Sequence, residues 1–277
     1  MARMPTSTDE LVFAPLGGVG EIGMNLSLYG FGSQAKKDWI AVDCGVAFAG
    51  PDLPGVDLIM PDPRFIAEEK KRLRALIITH AHEDHIGAVA DLWPRLGCPV
   101  YLTPFAAAML EAKRPSDTGG PKMTLNILRP GERIELGPFT VEMVTVAHSI
   151  PESTALAITT PLGTVVHTGD WKIDPTPVLG EKTDEARFRA LGDAGVLAMI
   201  GDSTNAIRDG VSPSEVAVAE ELEKIIRAAK GRVAVTTFAS NVGRIRAIAE
   251  AAMRADRQVV LVGRAMERVI TIAREQG

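Results

Sequence analysis

Seven residues, Thr79-His80-Ala81-His82-Glu83-Asp84-His85, constrain this chain more than any other stretch. They follow the apolar run Leu73-Arg74-Ala75-Leu76-Ile77-Ile78, which reads as a buried strand. They precede Ile86, Val89, Leu92 and Trp93, whose spacing is near that of a helix. Three imidazoles and an inner carboxylate are therefore expected on a strand-to-helix turn, at the carboxyl end of a strand, where open α/β sheets place ligands. So close together, these groups would repel one another if several were protonated. A divalent metal removes that conflict, because neutral imidazole and carboxylate are the donors zinc uses in catalytic sites. The chain has five histidines and three of them are in this turn, which weighs against an ordinary polar surface turn.

The 277 residues leave room for one large domain and part of a second, and an apolar content of 46% is enough for a real core. No run approaches the ~18 apolar residues of a membrane helix, and the opening MARMPTSTDE lacks the apolar centre of a secretory signal. Cys44 and Cys98 lie far apart and outside any CxxC pattern. That argues against a disulfide framework or a cysteine zinc site, and it fits a reducing cytoplasm. The net charge of −5 does not recommend a polyanion partner, but the chain from residue 205 onward is net basic and the rest net acidic. Charge thus leaves nucleic acid open.

Residues 11–16 and 24–29 read as strands around Gly17-Gly18-Val19-Gly20-Glu21-Ile22-Gly23. The GxGxxG inside that stretch would have to open a helix to be a dinucleotide fingerprint. Alternation after it predicts a strand instead, so a glycine turn is expected. Residues 39–42 form a strand ending in Asp43, either a turn residue or part of the site, and residues 50–63 form a loop whose Asp52 and Asp57 read as solvated turn carboxylates. A strand over 99–102, a helix over 104–113, a turn-rich loop over 114–122 and strands over 125–128 and 139–146 follow. The last of these ends at His148, the natural third imidazole for one metal, since a catalytic zinc takes three protein ligands and keeps an open position. A strand over 164–168 leads to Asp170, with His167 inside it as a structural or supporting residue, and a strand over 197–200 leads to Asp202.

From Ser212 the pattern changes. Ser-Pro-Ser-Glu starts a helix running to about residue 230, followed by strand 232–237, helix 241–254, strand 258–262 and helix 265–276. Such alternation predicts a parallel sheet with helices on its faces. Ser240, Asn241 and Val242 lie where a strand gives way to a helix. They read as a phosphate seat on free backbone N–H groups or as an ordinary helix cap. Arg244 and Arg246 read as a solvated helix face.

The stretch His-x-His-x-Asp-His over 80–85 resembles the signature of the metallo-β-lactamase superfamily. LGGVGEIGMN (16–25), THAHEDHIGA (79–88), the His148 strand end, TGDWK (168–172) and GDSTN (201–205) resemble its ribonuclease J branch, among the β-CASP nucleases. The resemblance implies an α/β fold: a metallo-β-lactamase αββα sandwich over 1–210, then the first part of an inserted parallel α/β β-CASP domain over 211–277. It implies two Zn2+ ions, with Mn2+ or Mg2+ in place of or beside them. His80, His82 and His148 would hold one ion, and Asp84, His85 and the bridging Asp170 the other. Asp43 and Thr79 would support these ligands, while Asp84 and Asp202 would be catalytic, Asp202 by proton transfer to the leaving group. For Ser240, Asn241 and Val242 the resemblance tips the balance towards RNA contact.

The activity so implied is hydrolysis of RNA phosphodiesters by hydroxide bound to the metal pair. It would be 5′-to-3′ exonucleolytic with a preference for single-stranded RNA bearing a 5′-monophosphate, and also endonucleolytic, in RNA maturation and decay. A cytoplasmic homodimer or tetramer is expected for the full-length form, with no membrane partner. In the family, the chain completes the inserted domain and returns with a further metal-binding histidine. No histidine follows His167 here, so these residues are expected to be the N-terminal part of a longer protein. Two rival readings keep the fold: a hydrolase of small esters, thioesters or lactams with the same ligands, and a non-catalytic RNA-binding subunit. GDSTN and the βαβα segment speak against the first, the intact ligand set against the second.

Overall fold

Strands that are apolar on both faces must be covered on both, and this chain meets that demand with four layers. The structure is a computed structural model that describes residues 8–113 and 122–276. Strands β1 (Asp9–Gly17), β2 (Leu26–Ser33) and β3 (Lys36–Val42) form an antiparallel meander. A ribbon of β4 (Ala47–Phe48) and β5 (Leu58–Ile59) and the short helix α1 (Arg64–Glu68) lead to β6 (Leu73–Ile77), which pairs parallel to β3. Helices α2 (Glu83–Ile86) and α3 (Val89–Leu96) follow, and β7 (Val100–Leu102), α4 (Pro104–Lys113) and β8 (Leu125–Ile127) extend the parallel side. The six strands are ordered β1-β2-β3-β6-β7-β8.

A second sheet is built from β9 (Arg133–Leu136), β10 (Phe139–Thr145), β11 (Thr154–Thr160) and β12 (Gly163–His167), all antiparallel. After α5 (Glu185–Ala194), β13 (Ala198–Ile200) joins it parallel to β12. Helices α6 (Glu215–Ala228), α7 (Val242–Arg254) and α8 (Arg264–Gln276) complete the described chain.

The period-2 alternation of each strand sorts its side chains into separate cores. In β3, Ile40 and Val42 face the second sheet, where they meet Phe139, Val141, Leu156 and Ile158, while Trp39 and Ala41 face the helices. In β11, Leu156 and Ile158 face the first sheet, and Ala155 and Ala157 pack towards Leu191 of α5. The result is the αββα sandwich that the sequence implied. Val242 of α7 and Val269 and Ile272 of α8 are buried in the helix-side core of the first sheet, so the C-terminal helices pack on the same body. Tyr29 Oη of β2 lies 2.8 Å from His167 Nδ1 of β12, a polar tie across the two sheets.

Two expectations are corrected, and a third lies outside the described residues. The helix expected around Ile86 to Trp93 is two helices, because Ala88 N leaves the helical ladder and donates to Cys44 O at 3.0 Å, while Asp84 O accepts from Asn25 N. A side chain at Gly87 would meet Glu83 O at 2.4 Å and Val46 Cγ2 at 2.7 Å. The strands expected over 232–237 and 258–262 are not formed among the described residues, where neither has a ladder partner. Their alternation is real, but a strand exists only through a neighbour's backbone groups, and Val235, Val260 and Val262 stay exposed. The loop expected over 114–122 lies outside the described residues except at Lys122.

Candidate metal centre

The predicted ligands converge because three strands end at one place. β6 runs into Thr79-His80, β10 into Ala147-His148 and β12 into Gly169-Asp170. β10 and β12 both pair antiparallel to β11, so their carboxyl ends lie on the same side of the second sheet. The first sheet is clipped to them by Thr154, whose N and Oγ1 donate to Thr79 O at 3.1 and 2.9 Å. Helix α2 is held against the end of β3 by Cys44 N to His85 O (2.7 Å) and Val46 N to Glu83 O (3.0 Å). That approach requires Gly45: a Cβ there would stand 1.7 Å from Asp84 O. Asn25 closes the far side, with its backbone N and its Nδ2 each 3.0 Å from Asp84 O.

Two donor groups result, His80 with His82, His148 and Asp170, and Asp84 with His85 and Asp170, each with ligand atoms within 4.8 Å of one another. His82 Nδ1 lies 3.1 Å from His80 Nε2 and 3.0 Å from His148 Nε2. Nitrogens bound at about 2.0–2.1 Å to one tetrahedral ion stand about 3.3 Å apart, so the donor set fits a divalent metal. In the second group, His85 Nε2 is 3.4 Å from Asp84 Oδ2 and 3.3 Å from Asp170 Oδ1.

The outer nitrogens are also engaged. His85 Nδ1 donates to Asp43 Oδ2 at 2.7 Å, and Asp43 Oδ1 accepts from Thr79 N at 2.8 Å. Thr79 Oγ1 donates to Asp43 Oδ2 at 2.9 Å and lies 3.0 Å from His80 Nδ1. Asp43 and Thr79 thus orient two ligand imidazoles. The sequence reading missed two residues at the site, Ser149 on the outer nitrogen of His82 and Asn25 on the metal-facing nitrogen of His85. Ser149 Oγ lies 3.3 Å from His82 Nε2, and Asn25 Nδ2 lies 3.2 Å from His85 Nε2. Asn25 ends the LGGVGEIGMN stretch, and Ser149 directly follows a ligand, which is the only signal either carried.

Electrostatics divides the two groups. Burial pushes the His80 ring well down, aided by His85, His82 and His148, and takes His82 to about 3. His148 is also lowered, chiefly by burial. For His85 burial works the same way, but Asp43, Asp170 and Asp84 outweigh it and hold the ring well above its usual value. Burial alone would raise Asp170, yet its hydrogen bond from His85 and the surrounding imidazoles bring it to about 2. His167 falls to about 4 through burial and stays neutral.

The remaining candidates fall outside the ligand groups. Asp202 is exposed at the end of β13; its N donates to Thr168 Oγ1 (3.0 Å), its Oδ1 accepts from Thr204 N (2.8 Å), and its charge acts on His148. Asn241 Oδ1 accepts from Arg244 N at 2.9 Å and caps α7, Val242 is buried, and Ser240 O accepts from Val242 N at 2.9 Å. The Arg244 and Arg246 guanidiniums are paired with Glu215 and Glu250.

Fold and donor groups together define a lactamase-type scaffold with a candidate divalent-metal centre. The chain belongs to the beta-lactamase superfamily, whose domain model matches residues 38–237. The model of the Ribonuclease J beta-CASP domain matches residues 230–277. The chain is 61% identical over 269 residues to Ribonuclease J of Sinorhizobium meliloti, covering 97% of this chain and 48% of the relative. It is 39% identical over 276 residues to Ribonuclease J of Thermus thermophilus, with 97% and 48% covered. The chain thus spans about half the length of these curated relatives. Among solved structures, a protein of unknown function from Enterococcus faecalis V583 shares the fold with a TM-score of 0.62 and 21% identity, over 87% of this chain and 63% of that one. No helix among the described residues is long and apolar enough to cross a membrane.

Proposed function

We propose that this chain carries the metal centre of a zinc-dependent ribonuclease that hydrolyses RNA phosphodiesters. One observation carries the reading: two donor groups share Asp170 at a strand-end site, in a chain 61% identical to a Ribonuclease J. A metal pair bound there supplies Lewis acidity and lowers the pKa of a bound water. The protein's part is to keep the donors ready. His80, His82 and His148 are neutral and aimed at one point, while Asp84, His85 and Asp170 cluster beside them. Asp43, Thr79 and Ser149 fix ring orientation. Asp202, exposed at the end of β13 with its charge acting on His148, would hand a proton to a departing oxygen. Residues 211–277 read as the start of a β-CASP domain, and RNA contact at Ser240, Asn241 and Val242 rests on the family resemblance, since Asn241 N and Val242 N already donate to Phe238 O and Ser240 O. A cytoplasmic enzyme acting on single-stranded RNA with a 5′-monophosphate, by exonucleolytic and endonucleolytic cuts and as a homodimer or tetramer, completes the proposal.

The test pairs metal content of the purified protein with cleavage of a 5′-monophosphorylated RNA of defined length. About two zinc per chain and mononucleotide release are expected. His82→Ala and Asp84→Ala should each abolish cleavage and retain the fold by circular dichroism. Metal without RNA cleavage would turn the assignment towards small-substrate hydrolases, and RNA cleavage unchanged in both variants would refute the ligand assignment.

A further inference from the structure

Lys172 stands two residues past Asp170, where an ammonium facing a phosphate chain would be unremarkable. It faces carboxylates instead: Nζ is 3.1 Å from Asp174 Oδ2 and 2.9 Å from Glu215 Oε1. Glu215 is the first residue of α6, and its carboxylate also accepts from Arg244 of α7, Nε at 3.3 Å and a terminal nitrogen at 3.2 Å. Asp174 closes the ring, its Oδ2 accepting from Glu215 N at 3.0 Å and its Oδ1 from Thr176 N at 2.9 Å. The Asp174 side chain is 1% exposed and that of Glu215 14%, so these pairs are poorly screened by water.

The backbone beneath this clasp is pinned to the metal centre. Lys172 N donates to Ala147 O at 2.9 Å, and Thr183 Oγ1 ties the same two residues, donating to Lys172 O (2.7 Å) and accepting from Ala147 N (2.9 Å). The chain positions adjoining His148 and Asp170 are therefore locked together, and the clasp hangs from that lock. Its other end holds α7 close to its capping residue Asn241.

We propose that Lys172, Asp174, Glu215 and Arg244 are positioning residues. They set the register of α6, α7 and the 238–242 turn against the metal-bearing strand ends, and so determine how firmly a long substrate strand is held across both. They take no part in bond cleavage. This rests on the ribonuclease reading above. A network serving only stability would have no preference between substrates, whereas a register device affects the substrate that spans both regions.

The experiment compares the purified wild-type protein with Glu215→Gln on two substrates. Bis(p-nitrophenyl) phosphate is small enough to need the metals alone, and a single-stranded 5′-monophosphorylated RNA needs both regions. In Glu215→Gln, metal content and the small-diester rate stay within about 2-fold, while KM for RNA rises about 10-fold and kcat changes less than about 3-fold. Asp174→Asn loses the charge facing Lys172 and leaves either Glu215 N or Thr176 N without its acceptor, so it shifts KM in the same direction. Equal losses on both substrates, or an unchanged KM, would overturn the proposal. If Glu215→Gln melts at the assay temperature, Arg244→Lys serves in its place, keeping the charge and losing the fork. Should the wild type cleave the small diester and leave RNA intact, the ribonuclease reading itself has failed. Amide exchange at 238–242 then reads the register directly: faster exchange in Glu215→Gln sustains it, and unchanged exchange sinks it.

Discussion

Asp43 Oδ2 accepts the Nδ1 proton of His85 at 2.7 Å, and it does so from a backbone turned into the left-handed region, φ 61°. A non-glycine residue is held there only when its surroundings over-determine it. Here three groups do: His85 Nδ1, Thr79 N and Thr79 Oγ1 all converge on one carboxylate. Asp43→Asn tolerates the same backbone but loses the charge behind the imidazole. Its metal affinity is expected to fall about 10–100-fold, and because the asparagine NH2 must face one of these buried donors, stability falls too, by less than in Asp43→Ala. Asp43→Ala leaves buried donors unpaired, each costing about 1–3 kcal/mol, and should lower the urea midpoint as well. Competition titration with a zinc chelator, beside urea unfolding, separates the two. Undiminished affinity in Asp43→Asn would show that the carboxylate does not tune the site.

The two donor groups should load metal with different pH dependence. His80, His82 and His148 are lowered, His82 to about 3, so they are already neutral at neutral pH and a metal there displaces no ring proton. His85 is held well above its usual value, so its Nε2 proton must leave before that nitrogen can bind a metal. Affinity of the second ion therefore rises with pH, about tenfold per unit while the pH lies below the His85 value, and the first stays nearly flat. Calorimetry in two buffers of different ionisation enthalpy should find about one more proton released with the second equivalent than any metal-bound water alone would give, and no ring proton with the first. Proton release confined to the first equivalent would reverse the assignment.

Much of this centre was legible because its ligands are clustered in sequence. His80, His82, Asp84 and His85 fall in one turn, and His148 and Asp170 each follow a strand whose alternation is plain. The sandwich was less legible. β11 (TALAITT) is buried on both faces through alanines and threonines, so no apolar contrast marked it. α5 offers only Phe188 and Leu191 to the core and has no apolar stripe to find. Residues 232–237 and 258–262 erred the other way, since alternation describes a side-chain pattern and carries no information about a pairing partner. Ser149, Asn25 and the clasp on Lys172 were out of reach because each acts through a contact distant in sequence or through a single hydroxyl.

Gly45 should be nearly irreplaceable. It has no unusual φ to excuse it; the demand comes from the 1.7 Å between its absent Cβ and Asp84 O. Gly45→Ala must push α2 off the end of β3, breaking the bonds from Cys44 N and Val46 N and displacing Asp84 and His85 together. A loss of about 3 kcal/mol in urea unfolding is expected, with the second metal equivalent lost first. Wild-type stability with full metal loading in Gly45→Ala would mean that the contact relaxes without moving the ligands.

Ser149 supplies the sharpest test of how the first donor group is oriented. His82 presents Nδ1 to the other ligands, so its Nε2 must carry the proton, and Ser149 Oγ at 3.3 Å is the acceptor on that side. Removing the hydroxyl leaves the ring free to exchange tautomers, and only one of the two offers a lone pair at Nδ1. Ser149→Ala should therefore weaken the first metal about 10-fold while the melting temperature of the apo protein stays put. Ser149→Thr keeps the hydroxyl and should restore affinity to within about 2-fold of wild type. Nitrogen-15 spectra of His82 add a readout independent of affinity, since the single-tautomer pattern of the wild type should give way to an average in Ser149→Ala. Alanine and threonine variants that bind zinc equally well would show that water replaces the serine and that His82 is oriented by packing alone.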